Sequence, residues 1–302
     1  MAHLKDGVEL IDAKPVPRPG RWASAVIVAL IAAGMARALV TNPNFQWGVV
    51  AQWLFSKTIV SGVAYTLLLT VIAMAMGTAL AITMAVMRQS VNPILRGVAT
   101  AYIWFFRGTP IYTQLIFWSL LPSLYPQISL GIPFAPPFVT VDTAAYFTPF
   151  WMAFLGLGLN EGAYLAEIIR AGLLSVDKGQ WEAATALGMP RSMIFRRIIL
   201  PQAMRVIVPP IGNETISMLK TTSLVSAIPY TLELTYVASN KGQSLFKPLP
   251  LLLTAAIWYL FITTILMWIQ SHIERHFGKG FDRRESTSAQ PDVDTRFLDV
   301  TP

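Results

Sequence analysis

The residues able to do chemistry are few, and their positions are unusual. Arg107, Glu161, Glu167, Glu214 and Lys220 all stand inside long apolar stretches of the chain. A charge at membrane depth costs at least ~2.5–3.5 kcal/mol on insertion scales, so each requires a partner or a purpose. Glu167 has a local partner, because Arg170 follows at i+3 on the same helical face. Glu161 and Glu214 have no opposite charge three or four residues away. Unpaired carboxylates suit a substrate ammonium, while Arg107 or a helix N-terminus suits a carboxylate. An amino acid carries both groups. The alternative is that Arg107 and Lys220 pair with Glu161 and Glu214 across helices, leaving no vacancy for a ligand.

Other chemistries are excluded by composition. There is no cysteine, which removes disulfides, thiol nucleophiles and thiolate metal sites. The three histidines, His3, His272 and His276, lie near the chain ends. His272-Ile273-Glu274-Arg275-His276 has the order H-x-E-x-H rather than H-E-x-x-H, and reads as a basic helix end. No metal site or catalytic residue is expected, and a multi-pass membrane enzyme is the weakest alternative. No G-x-x-x-x-G-K-[ST] phosphate loop occurs.

These charges must be positioned by membrane helices. Hydrophobic residues make up 54% of the 302, and charged residues only 13%, against about 25% in soluble chains. Six stretches meet the ~20-residue length of a spanning helix: about 23–40, 58–87, 97–121, 147–173, 202–228 and 249–271. Fifteen Lys and Arg fall in residues 1–22, 88–96, 174–200 and the C-terminal tail, whereas the opposite loops hold Lys57, Lys241 and Lys247. The positive-inside rule then places both termini in the cytoplasm, so the net charge of +7 reflects topology rather than a nucleic-acid partner. Ala36-Arg37-Ala38 superficially resembles a signal-peptidase site, yet a cytoplasmic start makes the first stretch an uncleaved anchor. The tail 276–302 is polar and reads as disordered.

Two stretches contain helix breakers at mid-depth. Pro110, in Phe106-Arg107-Gly108-Thr109-Pro110, lacks an N–H and deprives the Phe106 carbonyl of its partner. Val208-Pro209-Pro210-Ile211-Gly212-Asn213-Glu214 is expected to break the fifth stretch similarly. Broken helices at membrane depth mark protein-lined cavities. An ion-gradient-driven secondary transporter is therefore one reading, though no inverted repeat is visible.

The loop between the fourth and fifth stretches, 175–200, predicts a short helix over about 179–187, stopped by Gly188 and Pro190. Trp181 and Leu187 supply apolar anchors, and the alanines allow close approach of another protein. Arg191, Arg196 and Arg197 would equally support an interfacial helix on lipid headgroups.

Glu182-Ala183-Ala184, then Gly188, then Ile198-x-Leu200-Pro201, resembles the EAA loop of ATP-binding-cassette importer permeases. Phe106-Arg107-Gly108-Thr109-Pro110, Gly162 to Ile168, Gly212-Asn213-Glu214 and Leu219 to Ser226 are similar to the polar amino-acid, histidine/glutamine-type permeases. The match spans roughly 58–275. It implies an all-α polytopic fold of the MetI-like, type I importer class in a prokaryotic cytoplasmic (inner) membrane. The leader 1–22 and the segment 23–57 look like additions to a permease core of 58–275. The resemblance further implies a cytoplasmic ATPase dimer that binds ATP-Mg, a second permease subunit and an external substrate-binding protein, with no cofactor on this chain. Glu161, Glu214, Asn213, Arg107 and Tyr164 are the implied substrate contacts. Trp181, Glu182, Ala183, Ala184, Gly188 and Arg196 are the implied ATPase-coupling residues. Glu161 biases the expected substrate toward cationic or amide-bearing amino acids.

Overall fold

A computed structural model describes residues 19–132 and 136–277. The expected leader 1–22 and tail 276–302 lie mostly outside the described residues. The chain divides into two units, 1–47 and 48–302. In the first, α1 (Pro19–Thr41) is apolar all round, and Trp47 Nε1 donates to Leu39 O at 2.9 Å just beyond its end.

The second unit is a helical bundle, with α2 (Trp47–Leu54) leading into it. The long helix α3 (Lys57–Arg88) is capped by Ser56, whose side chain accepts from the Ile59 N–H. The expected third span is two helices, α4 (Pro93–Gly108) and α5 (Ile111–Leu124), meeting at Thr109-Pro110. A hairpin of β1 (Gln127–Leu130) and β2 (Val139–Asp142) follows, then the turn α6 (Thr143–Tyr146) and α7 (Pro149–Leu174). The 175–200 loop forms α8 (Lys178–Ala186) and α9 (Arg191–Ile194), joined by a π-turn at Phe195–Ile199 to α10 (Leu200–Thr221). A 3₁₀ turn (Thr222–Ala227), α11 (Leu234–Ser244) and α12 (Pro248–Phe277) complete the unit. Among the described residues, three helices are long and apolar enough to cross a membrane: Trp22–Thr41, α3 and α12. The central helices α7 and α10 are long enough but interrupted by polar residues, Asn160, Glu161 and Glu167 in one and Asn213 and Glu214 in the other.

One expectation is corrected. Helix α10 runs unbroken through Pro209 and Pro210. The two prolines leave the Arg205 and Val206 carbonyls without their helical donors, and Gln270 Nε2 of α12 lies against this segment, donating to Pro209 O at 2.7 Å. Gly212 permits this approach, since a Cβ there would overlap the Gln270 amide. Regular helix in this segment ends instead at Thr221, before the 3₁₀ turn.

The core forms where α3 crosses α7. Lipid is as apolar as the side chains, so close backbone approach rather than hydrophobic burial holds such helices together. Gly158-x-x-x-Gly162 on α7 and Gly77 on α3 provide it. A Cβ on Gly162 would stand 2.6 Å from the Tyr102 hydroxyl and 2.9 Å from Leu80 Cβ. Around this contact Leu69, Leu115, Leu157, Leu165 and Met218 pack fully buried. A second cluster ties Ile59 of α3 to Leu234 of α11 and Ile262 of α12. Next to Leu234 in the chain is the buried Glu233, whose carboxylate accepts from Thr66 Oγ1 at 2.9 Å, the Thr235 N–H at 2.7 Å and the Tyr259 hydroxyl.

Candidate functional site

The helix break at Thr109-Pro110 is held by a polar clamp. Pro110 offers no N–H to the Phe106 carbonyl, which receives Gln114 Nε2 and Asn160 Nδ2 instead, each at 3.0 Å. Gln114 Nε2 also donates to Thr109 O at 3.0 Å and Thr109 Oγ1 at 2.7 Å. Asn160 Nδ2 reaches Gln114 Oε1 at 3.2 Å. Three helices therefore meet at one freed carbonyl, satisfied twice.

Beside the clamp opens a cavity of about 320 Å³, with Thr109, Pro110, Glu161, Tyr164, Glu214 and Ser217 in its walls. Glu161 stands at the middle of α7, where Gly77 of α3 lies against its stem. It is only 4% exposed, and its Oε1 has no hydrogen-bond partner among the described residues. Two carboxyl groups and an aromatic ring on one cavity are groups that suit a cation. Neither glutamate pairs with Arg107 or Lys220 among the described residues.

Arg107 goes elsewhere. Its guanidinium lies over the Tyr164 ring, 5.4 Å from the centroid, and 3.9 Å from Glu167 Oε2. Glu167 also binds Arg88 and, at 2.8 Å, Arg170, the local pair expected from the i+3 spacing. Arg107 is thus the outermost of three cations around one carboxylate, next to a residue of the cavity wall. Asn213 does not border the first cavity. It lines an adjoining space of about 510 Å³ with Glu214, Ser217, Lys220, Gln270 and Glu274.

The 175–200 loop has its own small core. Asp177 caps α8 by accepting from the Gly179 N–H at 2.6 Å. At the other end Gly188 adopts φ +75°, letting its N–H reach Thr185 O at 2.9 Å and the Met189 N–H reach Ala184 O at 3.2 Å. That is the paired closure of a Schellman motif. Ala184 turns inward onto Ile194 and Ile199, while Trp181, Glu182, Ala183 and Leu187 face outward. Arg196 lines an open depression of about 430 Å³ with Arg197, Pro190 and Met193. The π-turn precedes Pro201, which has no N–H, and the Leu200 N–H bonds five residues back to Phe195 O.

Sequence reasoning passes over Gln114, Gly77 and the clamp role of Asn160. The G-x-x-x-G spacing of 158–162 was a readable signal. A glutamine four residues after Pro110, in an otherwise apolar helix, was another.

The chain is similar to known proteins in sequence and in fold. A family model described as a binding-protein-dependent transport system inner membrane component matches residues 77–279. The chain is 52% identical over 275 residues to the arginine transport system permease protein ArgU of Corynebacterium glutamicum, covering 90% of this chain and 85% of that one. It is 37% identical over 243 residues to the L-cystine transport system permease protein TcyB of Bacillus subtilis, covering 80% and 95%. Among solved structures, an amino acid ABC transporter crystallised with histidines matches with a TM-score of 0.64 and 32% identity, covering 75% of this chain and 97% of that one. The methionine ABC transporter MetNI, in an inward-facing form, shares the fold with a TM-score of 0.57 at 16% identity, covering 74% and 99%.

Proposed function

The chain belongs to the family of binding-protein-dependent transport system inner membrane components, and on that premise we propose how this amino-acid ABC importer permease recognises and moves its substrate. It is an integral membrane permease and not an enzyme; the ATPase is a separate subunit. The ion-gradient-driven alternative gives way to this family membership.

The substrate is a cationic amino acid. One observation carries this reading: Glu161 and Glu214 line a single cavity with no cation paired to either among the described residues. The substrate's positive groups meet those carboxylates, and Tyr164 offers its ring face. Arg107, bound loosely to Glu167, meets the α-carboxylate. Asn213, in the adjoining cavity, contacts the substrate as it leaves. That the relative ArgU is named an arginine permease supports the same class.

Movement follows linkage. ATP closes the ATPase dimer, and the outward residues Trp181, Glu182 and Ala183 of α8, with Arg196 at the rim, follow its groove. Gly188 ends the helix, and the bundle shifts between inward-open and outward-open states. A second permease subunit completes the membrane part, and an external binding protein delivers substrate. The assembly lies in a prokaryotic inner membrane with both termini cytoplasmic, α4 and α5 together making one of six spans.

Proteoliposomes containing the full transporter and its binding protein test the substrate reading. Glu161→Gln and Glu214→Gln should each raise KM for arginine while sparing glutamine uptake, if any is present. Wild-type arginine KM in the double variant would overturn it.

A further inference from the structure

The hairpin after α5 has no part in the cavity or the coupling loop, and its register makes it amphipathic. Ile128 pairs with Val141 and Leu130 with Val139, while Gln127 pairs with Asp142 and Ser129 with Thr140. Directly opposed residues share a face, and successive residues alternate. One face therefore carries Ile128, Leu130, Val139 and Val141. The other carries Gln127, Ser129, Thr140 and Asp142, with the Ser129 and Thr140 hydroxyls 3.1 Å apart. The apolar face is uncovered: Ile128 is 44% exposed, Leu130 65% and Val139 51%. A lone two-stranded hairpin is marginal in water, so this face needs an apolar cover.

We propose that the apolar face of the β1–β2 hairpin lies in the membrane interface, packed on lipid. Three observations favour lipid over a soluble partner. The exposed apolar side of α5, with Phe117, Leu120 and Leu124, leads into β1 after only Tyr125 and Pro126, so the hairpin continues a lipid-facing surface. Exposed tyrosines bracket it, Tyr125 before β1 and Tyr146 after β2, the residue type enriched where membrane meets water. Between Arg107 and Glu161 the sole charged residue is Asp142. A protein that must dock and release in every cycle is steered by complementary charge, which this segment lacks. The hairpin would brace the outer ends of α5 and α7 against the bilayer. This inference rests on the membrane placement of those helices and is independent of the substrate.

The chain lacks cysteine, so single cysteines carrying an environment-sensitive fluorophore report the face directly. In the assembled transporter in lipid nanodiscs, Leu130→Cys and Val139→Cys should give blue-shifted emission, quenched by nitroxide-labelled lipid and spared by iodide. Thr140→Cys should show the reverse. Val71→Cys, on the exposed side of α3, is the control for correct membrane insertion. Ile128→Cys repeats the reading should a label at Leu130 disturb the strand pairing. Iodide quenching of the apolar-face labels, with Val71→Cys behaving as lipid-facing, overturns the proposal. If added binding protein then removes that quenching, the face is a protein dock and the lipid reading is equally overturned.

Discussion

Gly188 offers a perturbation whose cost can be assigned to one physical cause. Its φ is +75°, and a Cβ built there would meet nothing within 4 Å. A side chain therefore finds open space, and the penalty of replacing the glycine is purely that of the left-handed backbone. That penalty is roughly 1–2 kcal/mol for a residue with a Cβ, and less for asparagine, whose short polar chain tolerates the region. Two bonds depend on this conformation, from the Gly188 N–H to Thr185 O and from the Met189 N–H to Ala184 O. Gly188→Ala should shift the local opening equilibrium by about 5–30-fold. Hydrogen exchange at residues 188 and 189, measured by mass spectrometry on the permease free of its ATPase, should accelerate by about that factor. Gly188→Asn should fall between wild type and Ala. Gly188→Leu should match Ala, because no neighbour penalises the larger chain. ATP-driven uptake should fall in the same order, with the variants still membrane-inserted. Unchanged exchange in Gly188→Ala would refute the conformational argument. A Leu variant much worse than Ala in the free permease would show that a contact matters instead.

Other consequences can be tested alongside. Asn160→Leu removes two interhelical hydrogen bonds, each worth ~0.6 kcal/mol on average and up to ~1.7 in a membrane, so thermal stability should drop by about 1–3 kcal/mol and substrate KM should rise. Gly162→Leu should force α3 and α7 apart, with an overpacking cost of about 1–3 kcal/mol and loss of uptake despite normal membrane insertion. Glu233→Ala strands Thr66, Tyr259 and the Thr235 N–H, and denaturation should reveal a loss of about 3 kcal/mol or more. Gentle extraction of the tagged chain followed by mass spectrometry should recover a stoichiometric ATPase with a phosphate loop, and the permease partner besides.

Much of the architecture was readable because membrane helices obey local rules. Apolar length marks α3 and α12, and the Pro110 break follows from a missing N–H that affects only the residues beside it. The α8 start and stop follow from Asp177 and Gly188, again neighbours in the chain. The Glu167–Arg170 pair is likewise a matter of helical spacing. Prediction failed at Pro209 and Pro210, where the helix runs on unbroken with Gln270, 61 residues away, bonded to it. The hairpin was hidden by its prolines and by a sequence too short to show clear alternation. Ala184 reads like a surface alanine until Ile194 and Ile199 fold back over it.

The sequence by itself determined long apolar helices, a helix break at Pro110 and a capped loop helix, because hydropathy, helix capping and proline chemistry act over a few residues; the permease reading rested on the resemblance of its motifs. Only the tertiary structure decided which charges stay free. Arg107 could have neutralised Glu161, but the crossing of α4 and α7 brings it to Tyr164 and Glu167. Ionic partners across helices are chosen by packing, and packing here is set by glycines whose meaning depends on what approaches them. Two carboxylates consequently share one cavity, an arrangement that distances along the chain cannot reveal.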